Sequence, residues 1–135
     1  MGKSKSKTFQ RKGGYFSIDR AVYTSPAFTS LSCTERAVLL QLVFHYVPKS
    51  SERIVMSSRQ LASCIGINKD TAAKALRRLV DVGLIDVVSE SKWIYSLARV
   101  YRLTFKPYQN RIPTDEWSKY QDDDPKQSDN VSESS

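Results

Sequence analysis

Lys74, Arg77 and Arg78 are interleaved with Ala72, Ala75, Leu76, Leu79 and Val80. At about 100° per residue of an α-helix, the five apolar residues share one side and the three bases point broadly the other way. An outward row of cations on a helix is suited to a polyanion. Such a helix fits the major groove of a duplex, where side chains near its start reach base edges and others reach phosphates.

Bond-making chemistry has little to stand on. The single histidine, His45, lies between Phe44 and Tyr46, a setting for a partly buried structural imidazole rather than a general base. Cys33 and Cys64 lack the paired Cys or His spacing of a zinc site, and two cysteines make a weak disulfide framework. Both are expected to be small buried thiols. The sequence has no Gly-rich phosphate loop, paired-carboxylate motif or metal spacing. No enzyme activity, no cofactor and no small-molecule ligand is therefore expected.

The charge points the same way as the basic row. The 135 residues carry 21 Lys and Arg against 14 Asp and Glu, a formal net charge of +7, which favours a polyanionic partner. Its distribution matters more than its sum. Residues 1–14 hold five bases and no acid, residues 114–135 hold seven acids and two bases, and these tails cancel. The whole excess belongs to residues 15–113, with 14 bases and 7 acids. No run approaches the roughly 18 apolar residues of a membrane span, and the start Met1-Gly2-Lys3-Ser4 lacks the apolar stretch of a secretory signal. A cytoplasmic protein that makes no membrane contact is expected.

The elements that would hold the basic row can be read from caps and periodicity. Residues 1–14, rich in Lys, Ser and Gly, form an expected flexible basic arm, and residues 114–135 an acidic, mostly disordered tail. The folded domain is expected over residues 15–113. A short helix is expected over residues 19–23, ended by Ser25-Pro26. Ser32 followed by Glu35 is a capping-box pattern. Val38, Leu39, Leu42, Val43 and Tyr46 then follow helical spacing until Pro48. Ile54-Val55-Met56 is too brief for a helix and reads as a strand. Ser57 or Ser58 caps a second helix. Gly66 punctuates, and Asn68 caps the third helix, which Gly83 stops. Residues 84–88 and 100–105 form a hairpin, its polar tip near residues 89–92.

Between residues 58 and 76 lies a recognisable combination. Two helices that cross steeply through a tight turn need a small residue at the contact, a residue tolerant of positive φ in the turn, and apolar side chains toward a shared core. Ala62, Gly66 and the set Leu61, Ile65, Ile67, Ala72 and Leu76 supply these at the required spacings. Residues 57–85 resemble the helix-turn-helix core of bacterial winged-helix regulators, including the GntR and MarR-like groups. The resemblance is carried by Leu61-Ala62, by Gly66-Ile67-Asn68-Lys69-Asp70-Thr71, by Ala75-Leu76-Arg77-Arg78-Leu79 and by Gly83-Leu84-Ile85. Upstream, Ser25-Pro26-Ala27-Phe28 through Leu40, and downstream, Tyr101-Arg102-Leu103-Thr104, are similar to small helix-turn-helix proteins of plasmids and phages. The resemblance covers residues 15–107 and includes no effector domain.

It implies an α+β, mainly α fold, a three-helix core with a β-hairpin wing. It also implies that Asn68, Lys69, Thr71 and Lys74 meet base edges or nearby phosphates, while Ser58 and Arg59 hold the backbone. The chain departs from the usual pattern at Asn68, where Ser is common, and at Lys69, where Arg is common. Both keep hydrogen-bonding capacity but leave base preference open, because Arg reads guanine bidentately better than Lys. Asp70 either accepts from a cytosine amino group or favours the helix N-terminus. Lys92 and Arg99, at or beside the hairpin tip, would touch phosphates or the minor groove. Trp93, Ile94 and Tyr95 either pack on the domain or form a dimer contact. Residues 112–120, with Trp117, make either a dimerising helix or a docked tail.

The expected function is sequence-specific binding of double-stranded DNA, in transcription regulation and as a possible homodimer on a two-fold related site. A replication or partition protein of a mobile element has the same chemistry and would bind tandem direct repeats. A protein-interaction module is the alternative from another class, since fold does not fix function.

Overall fold

The structure is a computed structural model that describes residues 11–50, 52–90 and 99–121. The fold is α+β and mainly helical. Among the described residues the order is α1 (Arg20–Tyr23), α2 (Pro26–Thr29), α3 (Cys33–His45), β1 (Ile54–Met56), α4 (Ser58–Ile65), α5 (Lys69–Asp81), β2 (Ile85–Glu90) and β3 (Arg99–Leu103). A 3₁₀ helix, Glu116–Lys119, follows.

Each long helix starts on the cap read from the sequence. Ser32 Oγ accepts from the Glu35 N–H while Glu35 Oε1 accepts from the Ser32 N–H, so two orphan amides of α3 are satisfied reciprocally. Ser57 and Gln60 repeat the arrangement on α4. Asn68 Oδ1 accepts from the Thr71 N–H at 2.9 Å and opens α5. The short α2 begins on Ser25, whose Oγ accepts from the Phe28 N–H, with Pro26 at its first position.

Helices α3, α4 and α5 pack on one another. Val38, Leu39, Leu42 and Val43 of α3, Leu61 and Ala62 of α4, and Ala72, Ala75, Leu76 and Leu79 of α5 are buried together. Gly66, at φ 88°, ends α4 in the left-handed conformation that costs a residue with a Cβ extra. Its N–H and that of Ile67 both donate to the Ala62 carbonyl, which closes the turn into α5.

The three strands form one antiparallel sheet in the order β1-β3-β2. Ile54 pairs with Tyr101, and Ile85 with Leu103, so these apolar side chains meet across the sheet. The alternation is visible in β1, where Ile54 and Met56 are buried and Val55 is exposed. A register shift between Val87 and Ser89 interrupts the β2–β3 ladder. The hairpin expected from residues 84–88 and 100–105 forms, and β1 adds a third strand to it.

Two expectations need correction. The folded body does not stop at residue 113. Thr104 is a buried hub whose hydroxyl donates toward the Gly83 and Leu84 carbonyls and whose own carbonyl accepts from the Asp115 N–H at 2.9 Å. Residues 114–120 continue from there as a strap over the body, with Trp117 and Tyr120 packed against the core. Gly83 has φ 86°, and a Cβ there would stand 2.8 Å from the Glu116 carbonyl carbon. The stop signal of α5 is thus also the floor of the strap. The second correction concerns the thiols: Cys33 and Cys64 are exposed. Cys33 is the first residue of α3, and Cys64 lies in the last turn of α4. The arm over residues 1–10 and the tail from residue 122 lie outside the described residues.

Candidate nucleic-acid interface

A groove of about 510 Å³ runs along α5, between the start of α4 and the β2–β3 sheet. Ser58 and Arg59 enter it from the first turn of α4, Lys69 and Arg77 from α5, and Arg99 from the first position of β3. Its floor is apolar, made by Ala73, Leu76, Val80 and Val87, with Tyr101 behind. Five of the ten residues singled out in the sequence therefore converge here from three separate elements. Arg59, Lys69, Arg77 and Arg99 are all exposed, so their charges face solvent and any polyanion that approaches.

The other five are placed differently. Asn68 is exposed, but its side-chain oxygen is committed to the Thr71 amide, which leaves its NH₂ as the free donor. Thr71 is half-buried at the start of α5, and Lys74 is exposed beyond the rim of the groove. Lys92 lies outside the described residues, as do Trp93, Ile94 and Tyr95.

Arg78 departs from the basic row. Its guanidinium donates to Ser30 Oγ at 3.1 Å and to the Tyr120 hydroxyl at 3.2 Å, and it stands 5.7 Å from the Tyr120 ring centre. Half-buried, it ties the strap to the loop before α3. The outward row is Lys74 and Arg77, without Arg78.

Two carboxylates share the groove with the bases. Asp70 and Asp81 line it, and Asp81 was not among the residues singled out from the sequence. Its signal was present. Asp81 lies eleven residues after Asp70 and four after Arg77, which at about 100° per residue returns it to the same side of the helix. The exposed stripe of α5 thus reads Asp70, Lys74, Arg77, Asp81, two bases flanked by an acid at each end. With four bases and two acids on its walls, the groove keeps an excess of two positive charges.

Beside the groove, the strap has its own electrostatics. Arg102 pairs with Asp86 at 3.1 Å and Glu116 at 3.3 Å, and donates to Thr114 Oγ1 at 2.8 Å. Burial by itself would raise the Glu116 pKa, but hydrogen bonds from Thr114 and its own backbone amide, with the Arg102 charge, hold it below the ordinary value. Tyr46 is shifted upward by burial and then by Glu52, and its hydroxyl donates to the Pro107 carbonyl.

Among the described residues no group of three or more His, Cys, Asp or Glu side chains could hold a metal ion, and no helix is long and apolar enough to cross a membrane. No protein-family model matches the chain, and no curated protein matches its sequence.

Proposed function

We propose that this chain is a winged helix-turn-helix protein that binds double-stranded DNA sequence-specifically and regulates transcription. The observation that carries the reading is the convergence of Arg59, Lys69, Arg77 and Arg99 from α4, α5 and β3 on one groove along α5. In this reading α5 enters the major groove with Lys69, Asn68, Thr71 and Lys74 toward base edges. Ser58 and Arg59 hold a phosphate at the start of α4, and the β2–β3 hairpin is the wing, with Arg99 on the adjoining backbone. Asp70 and Asp81, near the two ends of α5, repel phosphate from the groove there, so contacts through α5 depend on fit to base edges as well as on charge.

The apolar floor and the two carboxylates favour a second reading, in which the groove takes a segment of a partner protein. The test is selection of bound duplexes from a random pool at about 150 mM salt, with Lys69→Ala and Arg77→Ala in parallel. Enrichment of one motif by the native chain, lost in both variants, is expected. Equal and weak binding to every duplex, on the order of 10⁻⁴ to 10⁻⁶ M, would overturn the DNA reading and leave the partner-protein reading.

A further inference from the structure

We propose that the outer face of α3 is the surface on which a second copy of this chain docks. From Ala37 to Pro48 the sequence contains no charged residue. The inner side of this stretch is spent on the core through Val38, Leu39, Leu42 and Val43. A surface helix ordinarily opposes its buried face with a charged one, yet here the opposite side carries Leu40 and Phe44 one turn apart, with Val47 just past the helix end. They are 44%, 57% and 45% exposed. Phe16 sets its ring edge-on against Phe44 at 5.9 Å and extends the patch, with Tyr15 almost wholly exposed next to it in sequence. The polar groups bordering the stripe, Gln41 and His45, are in hydrogen-bond contact with each other at 3.2 Å. Five of the nine large exposed hydrophobic residues among those described fall on these two segments.

Size and charge select the occupant. With some 150–250 Å² per aromatic side chain, the exposed fractions leave about 500 Å² of apolar surface. One half of a standard protein interface is about 800 Å², some 57–65% of it apolar, so the patch matches the apolar part of one such half. Between Arg36 and Lys49 the stripe itself carries no charge, so it offers nothing to recognise a partner by charge. A chain of net charge +7 repels its own copy over most of its surface, and this stripe, with bases only at its margins, is where two copies come close at low electrostatic cost. Placed on a two-fold axis, the patch meets itself and is complementary to itself by symmetry. Of the two other segments read from the sequence as possible dimer contacts, residues 93–95 lie outside the described residues, and residues 112–120 have Trp117 and Tyr120 turned onto their own body, as a docked tail. No residue of α3 lines the groove along α5, so docking leaves that groove open on both copies.

The experiment is sedimentation equilibrium of the full chain without DNA, so its outcome is independent of the DNA reading. The native chain is expected to have twice the chain mass below about 100 μM. Phe44→Glu, which would bury an unpaired carboxylate at the contact, is expected to raise the dimer dissociation constant about 100-fold or more with helix content unchanged by circular dichroism. Val47→Glu is read in its place if Phe44→Glu fails to fold. A chain that stays monomeric at about 100 μM overturns the proposal. So does a dimer that both variants leave intact, because the contact then lies elsewhere.

Discussion

On one flank of α5, Arg77 stands exposed over a groove with Arg59, Lys69 and Arg99. On the other flank the next residue, Arg78, reaches Ser30 and Tyr120 and is half-buried by the strap. Consecutive residues of one type thus have opposite work, because about 100° of helix rotation carries the second across the boundary between an open face and a covered one. Among the described residues, the cations of the open flank make no ion pair, as suits a surface for polyanions. The covered flank has its cation spent on architecture.

The largest expected effect lies at the base of the covered flank. Gly83→Ala would force a Cβ to 2.8 Å from the Glu116 backbone at a positive φ, and is expected to cost about 2–4 kcal/mol in urea unfolding. Gly66→Ala, which meets nothing within 4 Å, should cost only the conformational strain, about 1 kcal/mol. Equal losses at the two glycines would mean that the strap adds nothing at Gly83.

The two arginines separate the flanks next. Arg78→Ala should lose about 1–2 kcal/mol of stability while DNA affinity of the folded protein is kept. Arg77→Ala should change stability by less than about 0.5 kcal/mol and lower the log–log salt slope of DNA binding by about 0.9 if it meets one phosphate. The reverse pattern would exchange the assignments.

Asn68 tests whether a cap can also read a base. Asn68→Ala should cost about 1 kcal/mol, measured by thermal unfolding, whereas Asn68→Asp should restore the cap yet remove the NH₂ donor. If Asn68→Asp binds its selected duplex as well as the native chain, Asn68 is a cap alone.

The smallest effect is acid loosening of the strap. The Glu116 pKa is lowered from 4.5 in the fold, so its contribution is complete above that unfolded value and is lost as pH falls through the lower folded one. The exposed carboxylate makes this a modest change. Trp117 fluorescence should report it below about pH 4.5 at constant ionic strength, and Glu116→Gln should remove it.

Much of the frame was legible because it rests on local physics. Ser32, Ser57 and Asn68 cap helices with groups at most three residues away, and Gly66 closes its turn on Ala62. The apolar spacing of α3 and α5 marked their buried sides. Asp81 was also readable, since a helical wheel places it away from the core. Arg78 was not, because its partners lie 48 and 42 residues away.

By itself the sequence determined the three long helices, their caps and turn, the inward faces and the excess of positive charge. These follow from hydrogen bonds and burial periodicities that operate over a few residues. Only the tertiary structure decided which exposed face stays open. It brought Ser58 and Arg59 to Lys69, Arg77 and Arg99, laid the strap over Gly83 and Arg78, and left Phe44 uncovered. A helical period separates inside from outside, but which part of the outside another segment covers is set by contacts between residues distant in the chain.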